Sequence, residues 1–122
     1  MTAIPDGVLQ GNTNLTGTLR VGHAVQTISA RAFSGSTLTG LDLSEATSLV
    51  EIGRQAFYGT DLGGTLVIPA KLTTIGPSAF EDTKLTGLNL LAATSLVEIG
   101  KKAFFGTDLG GTLVIPAKLT TI

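Results

Sequence analysis

At 122 residues, with 43% apolar and 14% charged side chains, the chain can bury a core and is too apolar to be disordered. Eight basic residues against nine acidic ones leave a formal charge of −1, which excludes the basic footprint of a nucleic-acid or anionic-membrane binder. Cysteine is absent, which removes disulfide frameworks, thiolate metal sites and thiol nucleophiles together.

Residues 1–10 lack a positive end followed by an apolar run, so no signal peptide is read there. No stretch approaches the ~20 apolar residues of a membrane-spanning helix, and no membrane insertion is expected. Self-comparison is far more informative. Residues 38–75 and 85–122 align at an offset of 47 with six differences in 38 positions: 42, 44, 45, 54, 55 and 58. Each such unit contains two related halves. Ile recurs at 4, 28, 52, 75, 99 and 122, which divides the chain into about five repeats: 4–27, 28–51, 52–74, 75–98 and 99–121. A period near 23 predicts a solenoid in which each repeat supplies one strand and a short return path.

In chain order, the first repeat carries Val8-Leu9 and then a strand read over Thr18-Leu19-Arg20-Val21. The second carries Ala32-Phe33 and a strand at Gly40-Leu41-Asp42-Leu43. Ala56-Phe57 precedes Thr65-Leu66-Val67-Ile68, Ala79-Phe80 precedes Gly87-Leu88-Asn89-Leu90, and Ala103-Phe104 precedes Thr112-Leu113-Val114-Ile115. Every repeat runs the same way, so these five strands are predicted to pair in parallel, in a sheet about 24 Å across. Alternation turns Leu19, Leu41, Leu66, Leu88 and Leu113 inward with the last residue of each strand. Arg20, Asp42, Val67, Asn89 and Val114 then form an outward strip. Ile28, Phe33, Ile52, Phe57, Ile75, Phe80, Ile99 and Phe104 are the expected structural core, stacked from repeat to repeat.

The return after each Ile reads as about one helical turn. Ser29, Gly53, Gly76 and Gly100 stand where an N-cap belongs, and Pro77 where a first helical residue belongs. Gly35, Gly59 and Gly106 stand where left-handed residues end a helix. The expected fold class is therefore a leucine-rich-repeat solenoid, α/β but β-rich, in a right-handed curved stack with short helical returns.

Leu66-Val67-Ile68-Pro69-Ala70-Lys71-Leu72-Thr73-Thr74-Ile75-Gly76-Pro77-Ser78-Ala79-Phe80 resembles the BspA-like type of leucine-rich repeat, and Leu113–Ile122 repeats its first part. The likeness covers nearly the whole chain. Two departures stand out. The cysteine that follows Ala-Phe in that family is replaced by Ser36, Thr60, Thr83 and Thr107, and alternate repeats carry Ser-Glu-Ala-Thr-Ser or Leu-Ala-Ala-Thr-Ser in place of Pro-Ala-Lys. The resemblance implies a cell-surface or secreted adhesion protein read through its repeat surface.

Residues able to carry chemistry are few. His23 is the lone histidine, with no partner set for a metal or a nucleophile. Gly-Thr-Asp-Leu-Gly-Gly at 59–64 and 106–111 lacks the Lys-Ser/Thr of a phosphate loop and reads as a turn. Asp61 and Asp108 alternate with Thr37 and Lys84, which opposes a calcium ladder. Glu81-Asp82 and Lys101-Lys102 read as solvated faces. No facing carboxylate pair is apparent, so the sequence points to a non-enzymatic protein without cofactor or metal.

The expected function is a module that binds a protein partner through the strip Arg20, Asp42, Val67, Asn89 and Val114. Aromatics are not interleaved there, which opposes stacking of sugars or single-stranded nucleic acid. The alternative is a structural spacer or self-associating segment of a longer array. Neither end shows a polar capping repeat, so head-to-tail association through uncapped ends is a possible second contact.

Overall fold

The computed structural model describes residues 3–5, 7, 11, 16–111 and 116–120. The chain winds as a parallel β-solenoid. Two strand sets mark each coil. One is a column of dipeptides: β1 (Ala3–Ile4), β3 (Thr27–Ile28), β5 (Glu51–Ile52), β7 (Thr74–Ile75) and β9 (Glu98–Ile99), paired in that order in a five-stranded parallel sheet. The other comprises β2 (Thr16–Arg20), β4 (Thr37–Asp42), β6 (Gly63–Val67) and β8 (Lys84–Asn89). These longer strands overlap those predicted from alternation, each beginning two or three residues earlier and ending one residue sooner. Each coil therefore carries two strands rather than the single one expected.

Continuity is also distributed differently from the expectation. The Ile column is the unbroken sheet, in register from Ile4 through Ile28, Ile52 and Ile75 to Ile99. The longer strands pair only two by two, β2 with β4 and β6 with β8. In both pairs the register slips by one residue, after Gly17 and after Gly64, leaving Thr39 and Thr86 as the extra residues. The fifth predicted strand, Thr112–Ile115, lies outside the described residues.

No helix occurs among the described residues, so the expected helical returns are replaced by successive turns. The reason lies in where the backbone donors go. In the third coil the N–H groups of Ala56, Tyr58 and Thr60 turn back to carbonyls three residues earlier. Those of Gln55, Phe57 and Gly59 instead reach Pro77, Ala79 and Glu81 of the next coil at 3.0, 2.8 and 2.9 Å. An α-helix would keep all of these bonds within itself. A right-handed helical backbone is also interrupted at one fixed place, three residues after each Ile, where Arg31, Gln55, Ser78 and Lys102 have φ of 58°, 55°, 58° and 60°. Left-handed backbone of this kind costs a side-chain-bearing residue about 1–2 kcal/mol, offset here by a ladder between coils.

The N-cap role read for Gly53, Gly76 and Gly100 becomes a packing role. The N–H of each bonds the carbonyl of the preceding coil's Ile at 2.7–2.8 Å. A Cβ on Gly53, Gly76 or Gly100 would meet backbone atoms of that coil at 2.8, 2.7 and 2.5 Å. At these three positions only glycine fits, whereas Ser29 holds the same place in the second coil, with its N–H on the Ile4 carbonyl at 2.9 Å. Pro77 likewise sits in a turn, with its carbonyl accepting from Gln55.

The core fills the coil interior. Ile28, Ile52, Ile75 and Ile99 are buried, as are Phe33, Phe57 and Phe80, while Phe104 is half-buried. The four rings stack with centroids 5.3, 5.3 and 5.4 Å apart, within 8° of parallel. Beside them, Thr60, Thr83 and Thr107 each donate a hydroxyl to the carbonyl of the Phe three residues earlier at 3.0, 2.9 and 2.8 Å. Ser36 holds the equivalent place in the second coil, but its buried hydroxyl has no partner.

Candidate interaction surface

The outward residues of the longer strands have distinct local roles. Arg20 is exposed and lies 3.7 Å from the carboxylate of Asp42. Asp42 accepts the backbone N–H of Ser44 at 2.9 Å, and Asn89 accepts that of Leu91 at 2.9 Å. Both are half-buried and close a turn at the end of their strand, the usual local habit of Asp and Asn. Hydrogen bonds from the Ser44 hydroxyl and backbone, together with the nearby Arg20 guanidinium, hold the Asp42 carboxyl below the ordinary aspartate range. Val67 is 51% exposed. Val114 lies outside the described residues. The strip thus pairs a free apolar side chain with polar groups that are partly committed to the fold.

Next to this strip the sheet lapses. β4 and β6 are neighbours, yet they do not pair. At the exit of the two strands the N–H of Ser44 is taken by Asp42, and Pro69 has none. Alternate coils also differ in length here. Five residues separate Leu43 from Leu49, whereas three separate Ile68 from Leu72. A cleft of about 660 Å³ opens between the strands, lined among others by Leu43, Ala46, Val67, Pro69, Lys71 and Ala92.

A cleft recurs one 47-residue unit later. The Leu91 N–H is taken by Asn89, and Pro116 stands where Pro69 did. A second cleft of about 440 Å³ is lined by Leu90, Leu91, Ala93, Thr94, Pro116, Ala117 and Lys118. Strand periodicity alone does not disclose these clefts, because it predicts a continuous sheet. Their signal in the sequence is the alternation of Pro-Ala-Lys with a segment two residues longer.

The remaining candidate residues do not converge. His23 is exposed. The Lys84 ammonium lies 3.1 Å from Asp61, so the position expected to oppose a cation is itself the counter-charge. Asp82 takes the left-handed backbone place that Gly35, Gly59 and Gly106 take in other coils, with φ of 58°. Lys102 lies 5.6 Å from the centre of the Phe105 ring. Among the described residues there is no group of three or more His, Asp or Glu that could hold a metal ion.

In fold, the chain is similar to the crystal structure of pneumococcal vaccine antigen PcpA, with a TM-score of 0.71 and 23% identity. That match covers 85% of this chain and 26% of the antigen chain, so the chain spans about a quarter of that structure. No curated protein matches the sequence. Residues 2–122 match the family described as BspA type leucine rich repeat region, with six copies. This solenoid, with its Ile column, stacked Phe and glycine-spaced coils, belongs to the BspA-type leucine-rich repeat family.

Proposed function

We propose that the chain is a non-enzymatic recognition module that binds a protein partner through the lateral surface carrying the longer strands. The observation that carries this reading is a preformed surface with Val67 exposed at its centre and an apolar cleft directly beside it. Contiguous apolar surface rimmed by polar groups marks interaction sites on soluble proteins. Its polar neighbours Asp42 and Asn89 are fixed by turn hydrogen bonds, so little side-chain ordering is left to oppose association. An exposed, cell-surface setting is supported by the family and by the vaccine antigen built on the same fold.

The test is selection from a displayed random-peptide library on the immobilised protein, with Val67→Lys in parallel. Sequences enriched by the natural protein and lost with Val67→Lys, at an unchanged thermal melt, are the expected result. Enrichment no greater than on the bare support, or identical for both proteins, would overturn the reading.

A further inference from the structure

The two clefts share a wall. Ala92 lines the first, while its neighbours Leu91 and Ala93 line the second. Leu91 is 79% exposed on that wall. The floors are apolar and buried, with Leu43 and Ala46 in one and Leu90 and Ala93 in the other. Each rim carries one lysine, Lys71 and Lys118, and neither takes part in an ion pair among the described residues. The remaining charge lining the first cleft, Asp42, already faces Arg20. Each cleft therefore offers an apolar slot with an uncompensated cation above it.

The clefts are one unit of two coils apart, about 9.6 Å along the continuously paired Ile column at its ~4.8 Å strand spacing. A polyproline-II helix rises ~3.1 Å per residue with three residues per turn, so every third side chain returns to the same side after about 9.3 Å. A β-strand alternates sides, and its third residue points away. The backbone favours the same choice. At the mouths of the clefts the Ser44 and Leu91 N–H groups are already taken and Pro69 and Pro116 have none, so these four positions offer an added β-strand no donor. A polyproline-II chain needs none, since it has no backbone pairing to satisfy.

We propose that the two clefts together bind one polyproline-II segment of a partner protein, running along the stack. It places apolar side chains at positions i and i+3 in the two slots and acidic side chains against Lys71 and Lys118. The proposal rests on the recognition reading above and specifies the chemistry of its partner.

The test is fluorescence anisotropy with a labelled peptide of four Leu-Asp-Pro repeats, titrated with the full chain. Two controls accompany it: four Leu-Lys-Pro repeats, and a peptide of the same composition as the first ordered as two Leu-Leu-Asp-Asp-Pro-Pro repeats. Dodecanoate is titrated separately, and mass is followed by light scattering in the same samples. Saturable binding of the first peptide, at least 10-fold weaker binding of both controls, and at least 10-fold loss in Lys71→Glu/Lys118→Glu with an unchanged melt are expected. No binding, or equal binding of the reordered peptide, overturns the proposal. Binding of dodecanoate in place of the peptide would assign the clefts to an apolar carboxylate. A concentration-dependent mass abolished by Lys71→Glu/Lys118→Glu would assign them to a second copy of the chain. Library selection that depends on Val67 but not on the two lysines would leave the recognition reading standing and remove this one.

Discussion

A Cβ on Gly76 would lie 2.7 Å from the backbone nitrogen of Arg54, one coil below. At this step of the stack the coils meet so closely that no side chain fits between them. Gly76→Ala must push the coils apart or distort them, and is expected to cost about 1–3 kcal/mol, as overpacking of a tight site does. Gly63→Ala is the contrast. Its Cβ would meet Lys84 at an ordinary 3.7 Å, so a change within about 0.5 kcal/mol is expected. Urea melts of the two variants check this, and equal losses would show that the close approach at Gly76 does not limit stacking.

The Phe column predicts a graded response. Phe57 is fully buried between Phe33 and Phe80, so Phe57→Ala should lose about 3–5 kcal/mol. Phe104 is half-buried with one stacked neighbour among the described residues, and Phe104→Ala should lose clearly less. Chemical denaturation at matched conditions distinguishes the two.

The hydroxyls beside that column should diverge in sign. Thr60 donates to the Phe57 carbonyl, so Thr60→Val is expected to lose about 1 kcal/mol, the usual net value of a hydrogen bond. The Ser36 hydroxyl is buried without a partner. Ser36→Ala removes an unsatisfied group and should be neutral or raise the midpoint of the melt. A loss comparable to that of Thr60→Val would mean the Ser36 hydroxyl is bonded in solution.

Asp42 should titrate by carbon-detected NMR below ordinary aspartate, because folding favours its charged form. Its contribution to stability is present above the unfolded value of about 3.9 and is lost as pH falls through the lowered folded value. Asn already performs the same turn at position 89. Asp42→Asn should therefore keep the fold near neutral pH and weaken the dependence of the melt on acid.

Much of this architecture was legible in the residues. Ile every 23 or 24 positions and Ala-Phe at a fixed distance mark columns that stack, because equivalent residues of successive coils must meet. The longer strands followed from alternation at Leu19, Leu41, Leu66 and Leu88. Helical returns did not form because a helix signal of one turn does not reveal the destination of each N–H. Gln55 and Phe57 donate to the next coil, a choice made by tertiary stacking. The clefts were hidden for a related reason. Asp42, Asn89, Pro69 and Pro116 each look ordinary alone, and the clefts appear only where the Asp and Asn turns meet the shorter Pro-Ala-Lys segments.

The bonds that join one coil to the next, such as Gly53 to Ile28 and Phe57 to Ala79, run along the stack. A tensile load applied between the two ends would meet them in series, one coil at a time, rather than shearing them all together. Each coil of about 23 residues released in this way lengthens the chain by roughly 80 Å at ~3.5 Å per extended residue. Held at both ends, the solenoid is a yielding tether that extends in discrete steps, with each remaining coil still folded on its neighbour.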